Sequence, residues 1–158
     1  LSTIHTIDSI EVITRLRKMG ISNYDISSIL ATSVSQRLVR KICPYCAKER
    51  EFTDQEKDIM TKIGAKYNVK FDFKGKKTYD AVGCKKCNQS GYLERIGIFE
   101  VLNVEDEIRD LISRDGSSMD IRRKALELGY KPLVIDGISK VLKGITTLDE
   151  INNKLIIY

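Results

Sequence analysis

The sequence contains four cysteines, and all of them fall in two C-x2-C pairs, Cys43 with Cys46 and Cys84 with Cys87. A gap of two residues lets the chain turn so that both sulfurs of a pair can reach one ion. Two such pairs supply the four sulfurs of a tetrahedral Zn²⁺ shell. Because no cysteine is left over, this pattern favours a metal site over a redox pair or disulfides.

The residue types also indicate what kind of metal site this is. A catalytic zinc keeps one position open for water and usually recruits a histidine or a carboxylate. Here four sulfurs close the shell, and the only histidine, His5, lies far upstream. Flanking lysines and arginines favour thiolates over thiols. The pattern therefore predicts a structural zinc subdomain over residues 43–91, built around two metal-binding turns that we call the knuckles.

Composition bounds the class of protein. With 42% hydrophobic and 31% charged residues, the 158-residue chain is typical of a globular, soluble protein of one domain, with or without an insert. No run approaches the roughly 18 apolar residues of a membrane span, and no signal-peptide pattern opens the chain. Cysteines without disulfides suit a reducing compartment, so we expect a cytoplasmic protein. A net charge of +5 selects no partner class.

The first half of the chain mixes helices with strands. Leu1–His5 has the pattern of the second half of a strand and lacks an initiator Met, so we expect a piece of a longer protein. A capping box at Asp8–Glu11 predicts a helix that ends at Gly20. A second helix should begin at Ser22 or Asn23 and bury Ile26, Ile29 and Leu30. Ser33–Ile42 should form a strand that enters the first knuckle.

The segment between the knuckles allows two interpretations. A cap at Thr53 predicts a helix to about Ile63, and Thr78–Val82 should be a strand leading to the second knuckle. Between them, residues 66–77 interleave lysines with Tyr67, Phe71 and Phe73. Such a segment can bind single-stranded nucleic acid, or its aromatic side chains can cover the metal subdomain. The second interpretation is the plainer one.

After the second knuckle, Tyr92–Leu102 has the pattern of a strand, and the rest of the chain has helical periodicity. We expect helices over 104–113, from Ser117 to Gly129, up to Gly144, and from a cap at Thr147. The layout predicts an α/β protein with three parts: residues 1–42, a metal subdomain over 43–91, and a closing strand with a helical bundle over 92–158.

Four stretches together resemble the C-terminal part of the ATPases that drive type II secretion and type IV pilus assembly. Leu1–Asp8 is similar to that family's histidine box, and Gln36–Cys46 to the strand that enters its tetracysteine motif. Gly83–Glu100 resembles the second half of that motif. Asp136–Glu150 resembles the closing helices. The tetracysteine motif is typical of export and pilus-extension members.

The resemblance implies the C-terminal half of a RecA-like ATPase core at residues 1–42, with a zinc subdomain inserted before a C-terminal helical bundle. It implies that the parent protein is a homo-hexameric motor that hydrolyses ATP with Mg²⁺. Such a motor acts on an inner-membrane platform protein at the cytoplasmic face of the membrane. Whether the parent exports proteins or assembles pili stays open.

The resemblance also shows which parts of the ATPase are missing from this sequence. The family's Walker A loop, G-x-x-x-x-G-K-[ST], cradles phosphate with backbone N–H groups and a lysine. No such run occurs here, and the acidic residues of Walker B would lie upstream. We therefore expect this chain to bind and hydrolyse no ATP on its own.

Three residues are candidates for contact with a nucleotide or a neighbouring subunit. By the resemblance, His5 ends a core strand near phosphate; as a lone histidine, it could equally be a strand-end residue satisfied by backbone. Arg37 and Arg40 could face phosphate or a neighbouring subunit, because ring ATPases often use arginines in trans. They could also be solvated charges beside the thiolates.

A functional alternative from another class is a nucleic-acid-binding zinc module, on the basis of the net charge and the lysines of residues 66–77. Against it, the positive charge is interleaved with Asp and Glu rather than gathered in one stripe. We therefore expect no nucleic-acid partner. A thiol redox protein is a further alternative, which falls if the cysteines resist alkylation until a chelator is added.

Overall fold

A computed structural model describes residues 2–155 of the chain. It is a mixed α/β structure in which the described residues form seven α-helices and two small sheets. The chain divides into two compact units: Leu1–Ser35 with Phe99–Pro132, and Gln36–Ile98 with Leu133–Tyr158. Two long strands, β1 (Thr32–Ile42) and β4 (Tyr92–Asn103), are hydrogen-bonded neighbours, and each runs from one unit into the other.

The first unit contains four helices, α1 (Glu11–Lys18), α2 (Asn23–Ile29), α4 (Asp106–Ser113) and α5 (Ser118–Glu127). Each contributes buried apolar side chains to one core that also includes Leu102 and Val104. Ser22 and Ser117 cap α2 and α5 by accepting hydrogen bonds from the backbone N–H groups of Asp25 and Asp120. These serine caps satisfy donors that a helix start would otherwise leave unpaired.

A buried polar network fixes the start of α1 within the first unit. The backbone N–H of Ser9 donates to Glu100 Oε1 at 2.8 Å, and Ser9 Oγ lies 2.9 Å from Tyr130 Oη. Asp8 Oδ1 accepts from the backbone N–H groups of Ile10 and Glu11, each at 2.9 Å. Burial and the nearby Glu100 carboxylate raise the pKa of Tyr130, so its hydroxyl stays protonated and available as a donor.

The second unit surrounds a separate apolar core with α3 (Asp54–Lys66), α6 (Leu133–Leu142), α7 (Leu148–Leu155) and a small sheet. The sheet pairs β2 (Ala47–Arg50) with β3 (Thr78–Ala81) in antiparallel register, Ala47 opposite Ala81 and Arg50 opposite Thr78.

Arg50 joins this sheet to the start of α3 with two ion pairs. Its guanidinium donates to Glu56 at 2.7 Å and to Asp80 at 2.7 Å. The hydrogen bonds from Arg50 lower the pKa of Glu56 to about 2, so that carboxylate stays charged. Thr53 and Glu56 complete a reciprocal capping box at the start of α3.

Most of the elements expected from the sequence are present, with two differences. The strands expected at 33–42, 78–82 and 92–102 are confirmed as β1, β3 and β4. However, Ser2–Thr6 lie in no strand, and Leu1 lies outside the described residues. Ile29, expected to be buried, is 79% exposed because it falls at the end of α2, beyond the side that packs on the core.

The aromatic residues between the knuckles serve the core. Tyr67, Phe71 and Phe73 pack against the apolar core of the second unit, and Phe52 and Phe73 meet edge to face, with ring centroids 6.0 Å apart. The plainer interpretation of residues 66–77 is therefore confirmed. No helix within residues 2–155 is long and apolar enough to cross a membrane.

The network at Tyr130 makes a prediction for stability. The substitution Tyr130→Phe removes a buried hydroxyl and leaves Ser9 Oγ without that partner, which should lower the free energy of unfolding by about 1 kcal/mol. The matched control is Tyr24→Phe, because Tyr24 is 77% exposed and should change stability by less than about 0.5 kcal/mol. Urea unfolding of both variants measures the difference, and equal stabilities would contradict the network.

Candidate metal centre

The four cysteines expected to share a metal come together in the second unit. All four Sγ atoms lie within 4.8 Å of one another. Sγ–Sγ separations are 4.0 Å for Cys43 and Cys84, 3.8 Å for Cys46 and Cys87, and 3.7 Å for Cys84 and Cys87. All four are free thiols rather than disulfides.

These separations match the edges of a tetrahedral metal site. Sulfurs about 2.3 Å from a central Zn²⁺ lie about 3.8 Å from one another if the geometry is tetrahedral. A disulfide would place two of them about 2 Å apart. The cluster therefore has the ligand type, the ligand number and the spacing that one tetrahedral ion requires.

Strand β1 delivers the first knuckle, which β4 holds in place. The backbone N–H of Cys43 donates to the carbonyl of Gly91 at 2.9 Å, where β4 is about to begin. The N–H groups of Cys46 and Ala47 then donate back to the Cys43 carbonyl, at 3.3 and 3.0 Å. This tight turn brings both sulfurs to one side, and β2 starts directly after it.

The second knuckle is a short 3₁₀ turn whose backbone points at sulfur. The N–H groups of Cys84 and Gly91 lie 3.2 and 3.3 Å from Cys87 Sγ. Gly91 has a positive φ of 75°, and a Cβ atom there would lie 2.6 Å from the backbone of Ala81. Only glycine fits such a position, so the second knuckle can pack closely against the end of β3.

The small sheet brings the two knuckles together. Residues 47–83 separate the cysteine pairs in sequence, but the register of β2 with β3 places Ala47 opposite Ala81. Ala47 directly follows Cys46, and Ala81 lies shortly before Cys84. Between the knuckles, Lys86 Nζ lies 3.6 Å from the centre of the Tyr45 ring, a cation–π contact.

Electrostatics of the four thiols favour a bound cation. Burial opposes a charge on Cys87, but hydrogen bonds from the backbone N–H groups of Cys84 and Gly91, together with those of the Cys84 and Cys46 thiols, lower the pKa of Cys87 to about 6. At Cys46, desolvation raises the pKa to about 12; a hydrogen bond from the backbone of Gly83 opposes the rise, and hydrogen bonds with the other thiols add to it. A bound cation would favour the thiolate form of its ligands.

The three residues predicted to contact nucleotide are not part of this cluster. His5 is exposed, in the first unit and outside any helix or strand. Arg37 and Arg40 lie on β1, Arg37 exposed and Arg40 half-buried. Arg40 is engaged within its own unit, because its guanidinium binds the carboxylate of Glu150 and lies 4.1 Å from the centre of the Tyr92 ring. Contact with nucleotide stays a prediction for all three.

Sequence reasoning missed the role of Glu150. The run Thr147–Glu150 matches a capping box, so the pattern assigns Glu150 to the start of a helix. Thr147 does accept a hydrogen bond from the backbone N–H of Glu150 at 3.2 Å. The Glu150 carboxylate, however, is fully buried and turns to Arg40. The sequence does not show this contact, because Arg40 and Glu150 are far apart along the chain and meet only in the folded structure.

Comparison with known proteins places the chain in a family. A family model described as "Type II/IV secretion system protein" matches residues 1–153. The chain belongs to this family. Its members include ATPases of type IV pilus assembly and of type II secretion.

Three curated relatives illustrate both branches. The type IV pilus assembly ATPase PilB of Thermus thermophilus is 37% identical over 151 residues, which cover 96% of this chain and 16% of the relative. The type II secretion system protein E of Aeromonas hydrophila is 38% identical, and the type II secretion system ATPase E of Vibrio cholerae is 36% identical. In both cases the match covers 96% of this chain and 28% of the relative. The chain thus spans well under a third of the length of these relatives.

The thiols predict how metal binding depends on pH. Metal binds thiolate, so acid competes with the metal by protonating sulfur. The pKa of Cys87 lies below its usual value, so its charge persists above about pH 6 and is lost as the pH falls through that value. We expect zinc added at neutral pH to be retained there and released progressively as the pH falls and protons compete with the metal for the sulfurs. Metal content after desalting across a pH series measures this, and retention that does not depend on pH would contradict thiolate ligation.

Proposed function

We propose that this chain is the C-terminal part of an ATP-hydrolysing motor for type IV pilus assembly or type II secretion, and that its four cysteines bind a structural Zn²⁺. The observation that carries the proposal is the cluster of four sulfurs within 4.8 Å, in a chain that belongs to this family. The spacing of the sulfurs supports zinc, because tetrahedral all-sulfur sites are typical of that ion.

The chemistry of the cluster supports a structural role. Four thiolates saturate tetrahedral Zn²⁺ and leave no position for water or substrate. The ion would join the turn after β1 to the turn before β4, which are distant in sequence. It would thereby make the intervening residues 47–83 a rigid body suited to transmitting motion or docking a partner. Zinc would do no chemistry of its own.

For the intact protein we propose a homo-hexamer that binds ATP and Mg²⁺ and works on an inner-membrane platform protein from the cytoplasmic face. The support is the family and its ATPase members. In this proposal residues 1–42 complete a RecA-like core, 43–91 form the zinc subdomain, and 92–158 close the fold. His5 would lie near the nucleotide, and Arg37 and Arg40 near phosphate or a neighbouring subunit.

Nucleotide binding separates this chain from the complete motor. Because the sequence of this chain has no Walker A run, we expect no detectable binding of Mg-ATP by calorimetry and no phosphate release. The complete protein, measured in parallel, should hydrolyse ATP. Micromolar affinity of the 158-residue chain for ATP would overturn the proposal that this chain lacks the nucleotide-binding residues.

Removing one ligand tests the zinc site and its role together. The substitution Cys84→Ser should reduce zinc from one ion per chain to a trace, because a serine hydroxyl stays protonated where a thiolate would bind. Hydrogen exchange should then speed up in β2 and β3, and the complete protein should lose secretion or pilus assembly. Mass spectrometry and a secretion or piliation assay measure the three effects.

A matched control removes a sulfur that cannot reach the cluster. Met119 is 80% exposed and lies in the other unit, so Met119→Ser should leave zinc, exchange rates and export unchanged. Export that persists in a zinc-free Cys84→Ser protein would contradict the coupling role. An unsubstituted chain without zinc, whose thiols alkylate freely before any chelator is added, would favour a thiol redox protein instead.

A further inference from the structure

Glu150, in the first turn of α7, is a fully buried carboxylate. Its Oε2 accepts hydrogen bonds from Arg40 Nε at 2.8 Å and Arg40 Nη2 at 2.5 Å, and its Oε1 accepts from the Arg40 backbone N–H at 3.0 Å. Both oxygens are thus bound by one residue of β1. A buried carboxylate is costly unless it is paired and hydrogen-bonded in this way.

The guanidinium of Arg40 also joins the other strand at the metal centre. Its central carbon lies 4.1 Å from the centre of the Tyr92 ring, and Tyr92 Oη lies 2.7 Å from Thr147 Oγ1. Tyr92 directly follows Gly91, whose carbonyl accepts from the backbone N–H of Cys43. We call the four side chains of Arg40, Tyr92, Thr147 and Glu150 the clamp.

Backbone hydrogen bonds extend the clamp toward the first ligand. The N–H of Ile42 donates to the carbonyl of Ile145 at 2.9 Å, and Thr146 Oγ1 donates to the carbonyl of Arg40 at 2.8 Å. The segment that starts α7 therefore lies along residues 40–42, directly before Cys43. The segment that leads into α7 thus holds residues 40–42, and Gly91, directly before β4, holds Cys43 itself.

We propose that Glu150 is a positioning residue of the metal centre: through Arg40 it holds the start of the first knuckle, so that metal binding and docking of α7 stabilise each other. The inference rests on the proposed metal binding by the four cysteines. The reciprocity follows from linkage, because a contact that raises the affinity for metal must itself be strengthened by metal to the same degree.

The test substitutes Glu150→Gln and follows release of bound zinc to an excess of a chromogenic chelator. Glutamine keeps the size of the side chain but loses the charge that binds the guanidinium. We expect the affinity for zinc to fall about 10-fold. Because most affinity differences between related complexes lie in the dissociation rate, zinc should be released about 10-fold faster than from the unsubstituted chain. The control Asp149→Asn removes a charge from the same helical turn at an exposed position and should not change the rate.

Three further variants separate positioning from general loss of stability. Arg40→Lys keeps a charge for Glu150 but loses the planar fork, so it should lie between the unsubstituted chain and Arg40→Met. The double variant Arg40→Met, Glu150→Gln should release zinc no faster than the worse of its single variants, since both break one contact. Linkage also predicts the reverse effect, of metal on α7. Removing zinc with a chelator should speed hydrogen exchange in α7 of the unsubstituted chain but not in Glu150→Gln.

The outcomes distinguish this inference from the proposed function. If the unsubstituted chain binds no zinc, the proposed metal site fails, and the positioning role fails with it. If it binds zinc but Glu150→Gln and Asp149→Asn release it equally fast, only the positioning role is wrong. If Glu150→Gln does not fold, Arg40→Lys, which keeps a charge for Glu150 but loses the fork that binds Oε2 of that carboxylate, takes its place with a smaller expected acceleration. Equal release from Arg40→Lys and the unsubstituted chain would then overturn the role.

Discussion

Four sulfur atoms within 4.8 Å of one another are the constraint on which the second unit depends. Without a cation, four thiolates at this distance would repel strongly. A bound divalent ion would remove that repulsion and close the long loop of residues 47–83. Closing such a loop costs entropy, which metal binding can offset. The pairing of β2 with β3 then starts beside the knuckles, where Ala47 lies opposite Ala81.

The segment between the knuckles also contributes to the apolar core of the second unit, so a bound metal would not be its sole support. Met60 is fully buried, and the aromatic side chains of residues 66–77 pack around the same core. Arg50 links the small sheet to the start of α3 through Glu56 and Asp80. A bound metal would therefore fix where this segment begins and ends, whereas apolar burial and the Arg50 ion pairs fix its interior.

Features specified by neighbouring residues could be predicted from the sequence, and features specified by distant residues could not. The spacing of Cys43 and Cys46, the cap at Thr53 and the β-branched content of residues 33–42 are local features, and the structure has the turn, the helix and the strand that they predict. Strand β2 has the polar sequence Ala-Lys-Glu-Arg and pairs with β3. No local pattern predicts this strand, because its pairing partner is distant in sequence. The pairing of Glu150 with Arg40 joins residues far apart in sequence, and the capping pattern at Thr147 already offered Glu150 another role.

The pairing of Arg40 with Glu150 limits what else this arginine can do. Arginine has five N–H donors; Nε and Nη2 of Arg40 bind the carboxylate, and one face of the guanidinium lies against Tyr92. The hydrogen bonds to Glu150 also raise the pKa of Arg40 above the usual value, so the guanidinium stays charged. A phosphate approaching the exposed part of this side chain would meet a guanidinium already neutralised by a buried carboxylate. If Arg40 bound a phosphate with all of its donors, it would have to release Glu150. In the inferred clamp, that release would weaken metal binding by the four cysteines.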